Sequence, residues 1–124
     1  IQIKKYIFNG DKNINRKLKS LLNLRKDKNQ EASSYELILD SKKLILTAAK
    51  DSLGNTSIYK TTISVNLILR NLTDENKTFK SKEFSRSFSY NNMTNKFDLS
   101  QYQETVETNL VEGLAEEITI FINS

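Results

Sequence analysis

The residues of this chain that could carry out chemistry are hydroxyls, lysines and carboxylates, because its 124 residues include no His and no Cys. These absences remove the usual general base, a common metal ligand, thiol catalysis and disulfides. Serine–lysine pairs remain as nominal nucleophile and base, at Ser41 with Lys42 and at Ser81 with Lys82. Adjacent residues of a strand point to opposite faces, so neither pair converges. The sequence therefore disfavours an enzyme.

Carboxylate pairs and glycines give no stronger signal. Asp74–Glu75 lies in a predicted turn and Glu116–Glu117 on a predicted helix, and we interpret both as solvated surface features. The three glycines, Gly10, Gly54 and Gly113, are too scattered for a loop that cradles phosphate. We expect no catalytic site, no cofactor and no metal.

Charge is distributed unevenly along the chain, although the net formal charge is only +4. Residues 1–50 carry twelve Lys or Arg against five Asp or Glu, whereas residues 99–124 carry five Glu and no basic residue. Nucleic-acid-binding domains are usually more uniformly basic, and an acidic segment repels phosphate. The pattern indicates a polarised domain and argues against a nucleic-acid partner.

The first elements that must position these groups are a strand and a short helix. Alternating isoleucines predict a strand over residues 1–8. Asp11 is a suitable N-cap, because its side chain can accept hydrogen bonds from the first free amides of a helix. Leucines at helical spacing continue to about Leu24 below a lysine-rich outer face, which predicts a basic amphipathic helix.

The middle of the chain has the alternating apolar pattern of β-structure. This alternation predicts three strands, over residues 35–50, 59–69 and 79–90. Turn residues separate them at Asp51–Asn55 and at Asn71–Lys77. Because the alternation changes register within the first of these strands, we expect a bulge or bend near Asp40–Lys42.

The final element is a predicted helix of about 24 residues, because apolar residues recur there with a 3.6-residue period. Asp98 or Ser100 is the expected N-cap. Four glutamates lie mostly off the apolar stripe: Glu104, Glu107, Glu112 and Glu116.

Gly113 and Glu117 interrupt that stripe, and Arg25 interrupts the stripe of the first helix. If the two helices are parallel, Arg25 and Glu117 could form an ion pair, with Gly113 allowing the helices to approach closely. In the alternative interpretation, both charged side chains lie near frayed helix ends and extend into water.

The predicted order of elements is β-α-β-β-β-α. We expect a single α+β domain over residues 1–124: a two-layer sandwich in which two helices cover one face of a four-stranded, mixed and mostly antiparallel sheet. The uncovered face is rich in Ser and Thr, which favours a docking or binding surface.

Three segments carry a resemblance to a known family. They are YKTTISVNLIL (Tyr59–Leu69), FSRSFSYNNM (Phe84–Met93) and GLAEEI (Gly113–Ile118) in the last helix. With the order of elements, they resemble the LPS-assembly lipoprotein LptE family along essentially the whole chain. The chain departs from that family in its short loop after the first helix and in showing no lipidated N-terminal Cys.

The resemblance implies a non-enzymatic outer-membrane lipoprotein on the periplasmic side of a Gram-negative bacterium, with its lipid anchor upstream of this sequence. Such proteins plug the LptD β-barrel, assist its assembly and help to export lipopolysaccharide. Lys and Arg can bind the phosphates and carboxylates of lipopolysaccharide by charge-assisted hydrogen bonds. The expected binding residues are Arg70, Lys77, Lys80, Lys82 and Lys96, although each taken alone is more typical of solvated surface charge.

Two other interpretations stay open. The chain could be a generic α+β protein-binding module, unrelated to lipopolysaccharide, that docks a partner on its open sheet face. Less favoured is binding of single-stranded nucleic acid by exposed aromatics, because the RNA-recognition module has the order βαββαβ and this chain ends on an acidic helix.

Overall fold

The computed structural model describes residues 2–22, 34–72 and 78–124. In chain order, the elements are β1 (Gln2–Gly10), α1 (Lys12–Leu22), β2 (Ser34–Lys50), β3 (Thr56–Asn71), β4 (Thr78–Asn91) and α2 (Lys96–Ile122). The strands lie side by side in that order; β1 is parallel to β2, and the other neighbours are antiparallel. The predicted α+β fold with a mixed four-stranded sheet is confirmed. The turn expected at Asn71–Lys77 lies largely outside the described residues.

The connection from β1 to α1 depends on two adjacent residues. Gly10 has a φ of 93°, and a side chain there would overlap the backbone carbonyl of Ser41. The next residue, Asp11, accepts a hydrogen bond from the Ile14 amide through Oδ1 (3.0 Å) and donates its own amide to Ser41 O (3.1 Å). Asp11 is therefore the N-cap that the sequence predicts, and it also ties the start of α1 to β2.

Both helices cover the same face of the sheet. α1 packs on β1 and β2, α2 packs on β3 and β4, and the two helices pack against each other. The residues between the layers are almost all aliphatic, since burying them supplies most of the favourable free energy of folding. The core includes Ile14, Leu18, Leu37, Leu39, Ile63, Val65, Leu67, Leu69, Val111, Leu114 and Ile118.

The bulge predicted near Asp40–Lys42 is not present in β2. β2 pairs with β3 without a register shift from Tyr35 to Thr47, and the first irregularity falls between Thr47 and Ala49.

The alternation changes because polar side chains occupy the helix-covered face in this part of β2. Ser41 is buried on that face, and Lys43 donates from it to Glu107. Leu44 and Leu46 consequently fall on the open face, where both are exposed. An apolar pattern cannot reveal a covered face that is locally polar.

α2 begins before the predicted cap. Asn95 is the N-cap, and its side chain accepts from the amides of Phe97 (2.9 Å) and Asp98 (3.1 Å). Asp98 instead lies in the first turn, where its charge is favourable near the helix N-terminus. The predicted start was too late because Phe97 is exposed and does not contribute to the apolar stripe. Within the described ranges, no helix has an apolar stretch long enough to cross a membrane.

Candidate functional site

Glu107 of α2 is a buried carboxylate that contacts both α1 and β2. Its side chain is 2% exposed. Lys17 of α1 donates to Glu107 Oε2 at 2.5 Å, and Lys43 of β2 donates to Oε1 at 2.8 Å. Lys17 also donates to Glu104 at 2.5 Å. The expectation that Glu107 lies off the buried stripe is wrong. Its carboxylate can be buried because two ammonium groups compensate its charge.

The pKa values in this cluster favour the charged forms. Burial raises the pKa of Glu107, but the hydrogen bonds from Lys17 and Lys43 and their charges outweigh burial and hold that pKa below 4.5. The hydrogen bond to Glu107 is the main reason that the pKa of Lys43 is raised above 10.5. Burial lowers the pKa of Lys17, yet its bonds to Glu104 and Glu107 give a net rise. Glu107, Lys17 and Lys43 are therefore all charged at neutral pH.

A carboxylate with a lowered pKa is a weak base, and the described hydrogen-bond partners of Glu107 are both ammonium groups. Nearby Ser41 uses its hydroxyl to bond Asn15 Oδ1 at 2.7 Å. Among the described residues, no group of three or more acidic side chains is arranged to hold a metal ion. We interpret the cluster as an electrostatic tie between the two layers.

The residues expected to bind lipopolysaccharide lie at two separate ends of the molecule. Lys80 and Lys82 lie on β4 near the C-terminus of α2, and Arg70 lies near them at the end of β3, on the other face of the sheet. Lys96 is the first residue of α2, which has 27 residues and so separates it by about 40 Å from the other three. Lys77 lies outside the described residues.

Lys80 stabilises the end of α2. Its Nζ donates to Phe121 O at 3.0 Å, to Ser124 Oγ at 3.1 Å and to Ser124 O. The last turn of α2 contains no basic residue. Lys80 therefore supplies the positive charge that a helix C-terminus favours, which leaves its ammonium group less available to a ligand.

Lys82 is the more available of the two lysines. Its Nζ lies 5.1 Å from the ring centroid of Phe84 and 5.6 Å from that of Phe121. These two rings pack edge to face at 5.6 Å. Lys82 is exposed and has no carboxylate partner among the described residues. Cation–π contacts leave the amine protons free to bond an anion.

Arg70 belongs to an ion-pair group on the open face of the sheet. Glu36 is largely buried there, with Arg70 Nη1 at 3.8 Å and Lys5 Nζ at 3.7 Å from its carboxylate oxygens. Both pairs are long, and both cations are substantially exposed. Because Glu36 offsets part of the charge, Arg70 attracts an external phosphate less strongly than an unpaired arginine would.

Glu117 pairs with a residue of the sheet. Arg86 Nε of β4 donates to Glu117 Oε2 at 3.1 Å. The partner suggested by the sequence, Arg25, lies outside the described residues. A side chain at Gly113 would overlap the guanidinium of Arg86. Gly113 therefore makes room for Arg86, and its expected role in close helix approach is not what the structure gives it.

The open face of the sheet presents a hydroxyl ladder between β3 and β4. Thr62 is 2.7 Å from Ser87 and Ser64 is 3.2 Å from Ser85, measured between side-chain oxygens. Beside this ladder is an open depression of about 480 Å³. Its lining includes Asn9, Ile38, Asp40, Asn66, Ile68, Ser81, Lys82 and Glu83. Two carboxylates in this lining disfavour a phosphate ligand.

Three aromatics of β4 share the helix-covered face, as the sequence predicts. Phe84 and Tyr90 are buried, whereas Phe88 is 48% exposed and stacks on Tyr90 with a centroid distance of 6.5 Å. The hydroxyl of Tyr90 lies 2.7 Å from Thr61 Oγ1 and accepts from Gln103 at 3.1 Å. This network fixes Tyr90, so Phe88 is the aromatic of the three that a partner can reach.

No protein-family model matches the chain. A search of curated proteins also gives no match. Solved structures, however, match nearly its whole length.

Three of these structures are bacterial lipoproteins. Rare lipoprotein B from Shewanella oneidensis is 14% identical, with a TM-score of 0.69 over 96% of this chain and 93% of that one. A putative lipoprotein from Caulobacter crescentus is 13% identical, with a TM-score of 0.63 over 95% and 85%. A minor lipoprotein from Acinetobacter baumannii is 16% identical, with a TM-score of 0.58 over 96% and 91%. The resemblance suggested by the sequence is thus confirmed as a shared fold.

Proposed function

We propose that this chain is the folded domain of a non-enzymatic outer-membrane lipoprotein of the LptE type, which plugs an LptD-type β-barrel on the periplasmic side. The fold match that covers 93% of the rare lipoprotein B chain carries the proposal, since rare lipoprotein B is a member of the LptE family. In this role the domain assists assembly of the barrel and helps to export lipopolysaccharide.

A non-catalytic role is supported by the chemistry of the side chains. The sequence has no His and no Cys. Among the described carboxylates, Glu107 is the most deeply buried, and it is ionised and bound to two lysines. Residues on the described surfaces favour contact: the hydroxyl ladder on the open face and the exposed Phe88 on the other. Such surfaces fit a body that touches its partner on more than one side.

For lipopolysaccharide, Lys82 is the strongest candidate among the four expected residues that the structure describes. It is exposed and lies at the same end of the molecule as Arg70 and Lys80, which have carboxylate and carbonyl partners. Lys96 is too distant to bind the same phosphate group. Electrostatic attraction at this end would guide the anionic headgroup to Lys82.

Co-purification tests the barrel partner. The full-length protein, with its natural leader and a C-terminal tag, is expressed in a Gram-negative host and extracted in mild detergent. We expect it to retain one large outer-membrane β-barrel in equimolar amount, identified by mass spectrometry. An unrelated outer-membrane lipoprotein with the same tag serves as the control. Absence of any barrel, under conditions that preserve other outer-membrane complexes, would contradict the proposal.

A further inference from the structure

Among the described residues, no strand pairs with the outer edge of the second half of β2. β1 pairs with β2 only as far as Ser41, which lies opposite Gly10. β2 continues to Lys50, and from Lys42 onward its partner among the described residues is β3 alone. We call Lys42–Lys50 the free edge. Alternate backbone amides and carbonyls of an edge strand point outward and can pair with another strand.

The free edge exposes apolar side chains on both faces of the sheet. Leu44 is 53% exposed, Ile45 39% and Leu46 49%. Consecutive residues of a strand alternate between faces. A strand added at this edge could therefore cover apolar surface both above and below the sheet.

The other outer edges of the sheet have the usual protection against pairing. β1 carries adjacent lysines, Lys4 and Lys5. β4 carries serines on its open face and the charged Lys82 and Arg86 on its other face. Charges of this kind on an edge discourage a further strand. The lysines of the free edge lie near its two ends, and its centre, Leu44–Leu46, is apolar.

The charge of the free edge selects the kind of partner. It contains three lysines, Lys42, Lys43 and Lys50, and no acidic residue. Of these three lysines, Lys43 alone has a carboxylate partner within the part of the chain that the structure describes, and that partner is Glu107. The following Asp51 is occupied by the turn, because its Oδ1 accepts from the amides of Leu53 and Asn55 at 2.9 Å each. A second copy of this edge would add lysines to lysines, and like charges across a strand pair are destabilising.

We propose that the free edge binds an extended segment of another protein as an added β-strand, and that this segment alternates apolar residues and carries Asp or Glu at its ends. Main-chain hydrogen bonds supply affinity for any strand that pairs with the edge. The Leu44–Leu46 side chains add apolar contacts, and Lys42 and Lys50 favour a segment with acidic ends. This inference does not depend on the function proposed above.

A synthetic peptide tests the inference on the purified chain. The probe has about nine residues, alternating Val and Thr, with Glu at both ends. One control peptide replaces each Glu with Lys, and another has a central Pro, which cannot donate a main-chain hydrogen bond. We expect saturable binding of the acidic peptide, with NMR amide shifts concentrated in Lys42–Thr47. The lysine peptide should bind at least about tenfold more weakly than the acidic peptide. The proline peptide should not bind.

Two matched variants of the chain complete the test. Leu46→Lys places a charge on the free edge, whereas Leu53→Lys makes the same change in the adjacent turn, where the side chain is 84% exposed. We expect binding to be lost in the first variant and kept in the second, with both folded by circular dichroism.

Equal binding of acidic and basic peptides, shifts outside the free edge, or no binding at all would overturn the inference. Concentration-dependent dimers in sedimentation that Leu46→Lys abolishes would also overturn it, because the occupant would then be a second copy.

Discussion

Lys17 Nζ lies 2.5 Å from Glu107 Oε2, and neither side chain is more than slightly exposed, at 15% and 2%. The contact joins α1 to α2 across residues that are 90 positions apart in the sequence. Because Lys43 of β2 binds the other carboxylate oxygen, one buried charge connects both helices to the sheet. We regard this carboxylate as the main polar determinant of how the two layers are aligned.

Replacing this carboxylate should destabilise the fold. In Glu107→Gln, Lys43 loses its carboxylate partner and Lys17 keeps only Glu104. Since Lys43 is 31% exposed and can reach water, we expect a loss of about 2–3 kcal/mol, at the low end for a broken buried pair. Glu104→Gln is the matched control, because Glu104 is exposed and its bond to Lys17 is worth under about 1 kcal/mol. Urea unfolding measures both. Equal losses in the two variants would contradict the assignment.

The same cluster predicts how stability depends on pH. The pKa of Glu107 is lowered in the folded state, so its contribution is present above its ordinary value of 4.5 and is lost as pH falls through the folded pKa. The pKa of Lys43 is raised, so its contribution is present below 10.5 and is lost as pH rises through the folded value.

The difference in unfolding free energy between wild type and Glu107→Gln should therefore be constant between these limits and shrink at both extremes. Urea unfolding at a series of pH values measures this difference. A difference that grows as the pH falls toward 4.5 would mean that the folded state raises the pKa of Glu107.

A double-mutant cycle tests the packing of Arg86 on Gly113. Gly113→Ala should gain about 1 kcal/mol of helix propensity. In the wild type, the added methyl displaces Arg86 and its bond to Glu117, which offsets up to about 1 kcal/mol. In the Arg86→Ala background the full gain should appear. Thermal and urea unfolding of the four proteins give the coupling, and strict additivity would show that Arg86 does not occupy this space in solution.

The two lysines of β4 should separate binding from stability. Lys82→Ala should weaken lipopolysaccharide binding by about tenfold at low salt and change the free energy of unfolding by less than about 0.5 kcal/mol. Lys80→Ala should cost about 1 kcal/mol, because it removes the cation at the end of α2. Fluorescence titration with purified lipopolysaccharide and urea unfolding measure the two effects.

Lys96→Ala is the charge-matched control for Lys82→Ala, since it lies at the other end of α2. We expect its affinity for lipopolysaccharide to equal that of the wild type. Equal weakening by Lys82→Ala and Lys96→Ala would show that binding depends on net charge alone.

Local patterns in the sequence were enough to predict the order of elements, the Asp11 cap and the face shared by Phe84 and Tyr90. These features depend on residues within a few positions of one another. The polar part of the covered face, at Ser41 and Lys43, could not be predicted in the same way. The partners of these two residues come from α1 and α2, which are distant in the sequence. The alternation of apolar residues within β2 does not depend on those partners.

The basic residues expected from the family resemblance do not form one site. Lys82 and Lys96 are close in the sequence, but Lys96 begins a helix that ends beside Lys80. The sequence periodicity predicted a helix of nearly this length, and that length implies that Lys82 and Lys96 are far apart.

The central claim is that an LptD-type barrel encloses this domain, and site-directed labelling tests it most directly. The chain has no Cys, so single replacements report cleanly. At one end of the molecule, Ser89→Cys lies on the open sheet face and Ser100→Cys lies on the helix layer. At the other end, Ser81→Cys lies on the open sheet face and Ser20→Cys lies on the helix layer. All four serines are exposed.

The measurement is the rate of maleimide labelling of each variant, free and in the purified complex. Enclosure predicts that, for at least one end, both opposing positions label about tenfold more slowly in the complex, because the barrel wall surrounds them. Slower labelling on a single face, or at no position, would mean that the domain docks outside the barrel and would contradict the account.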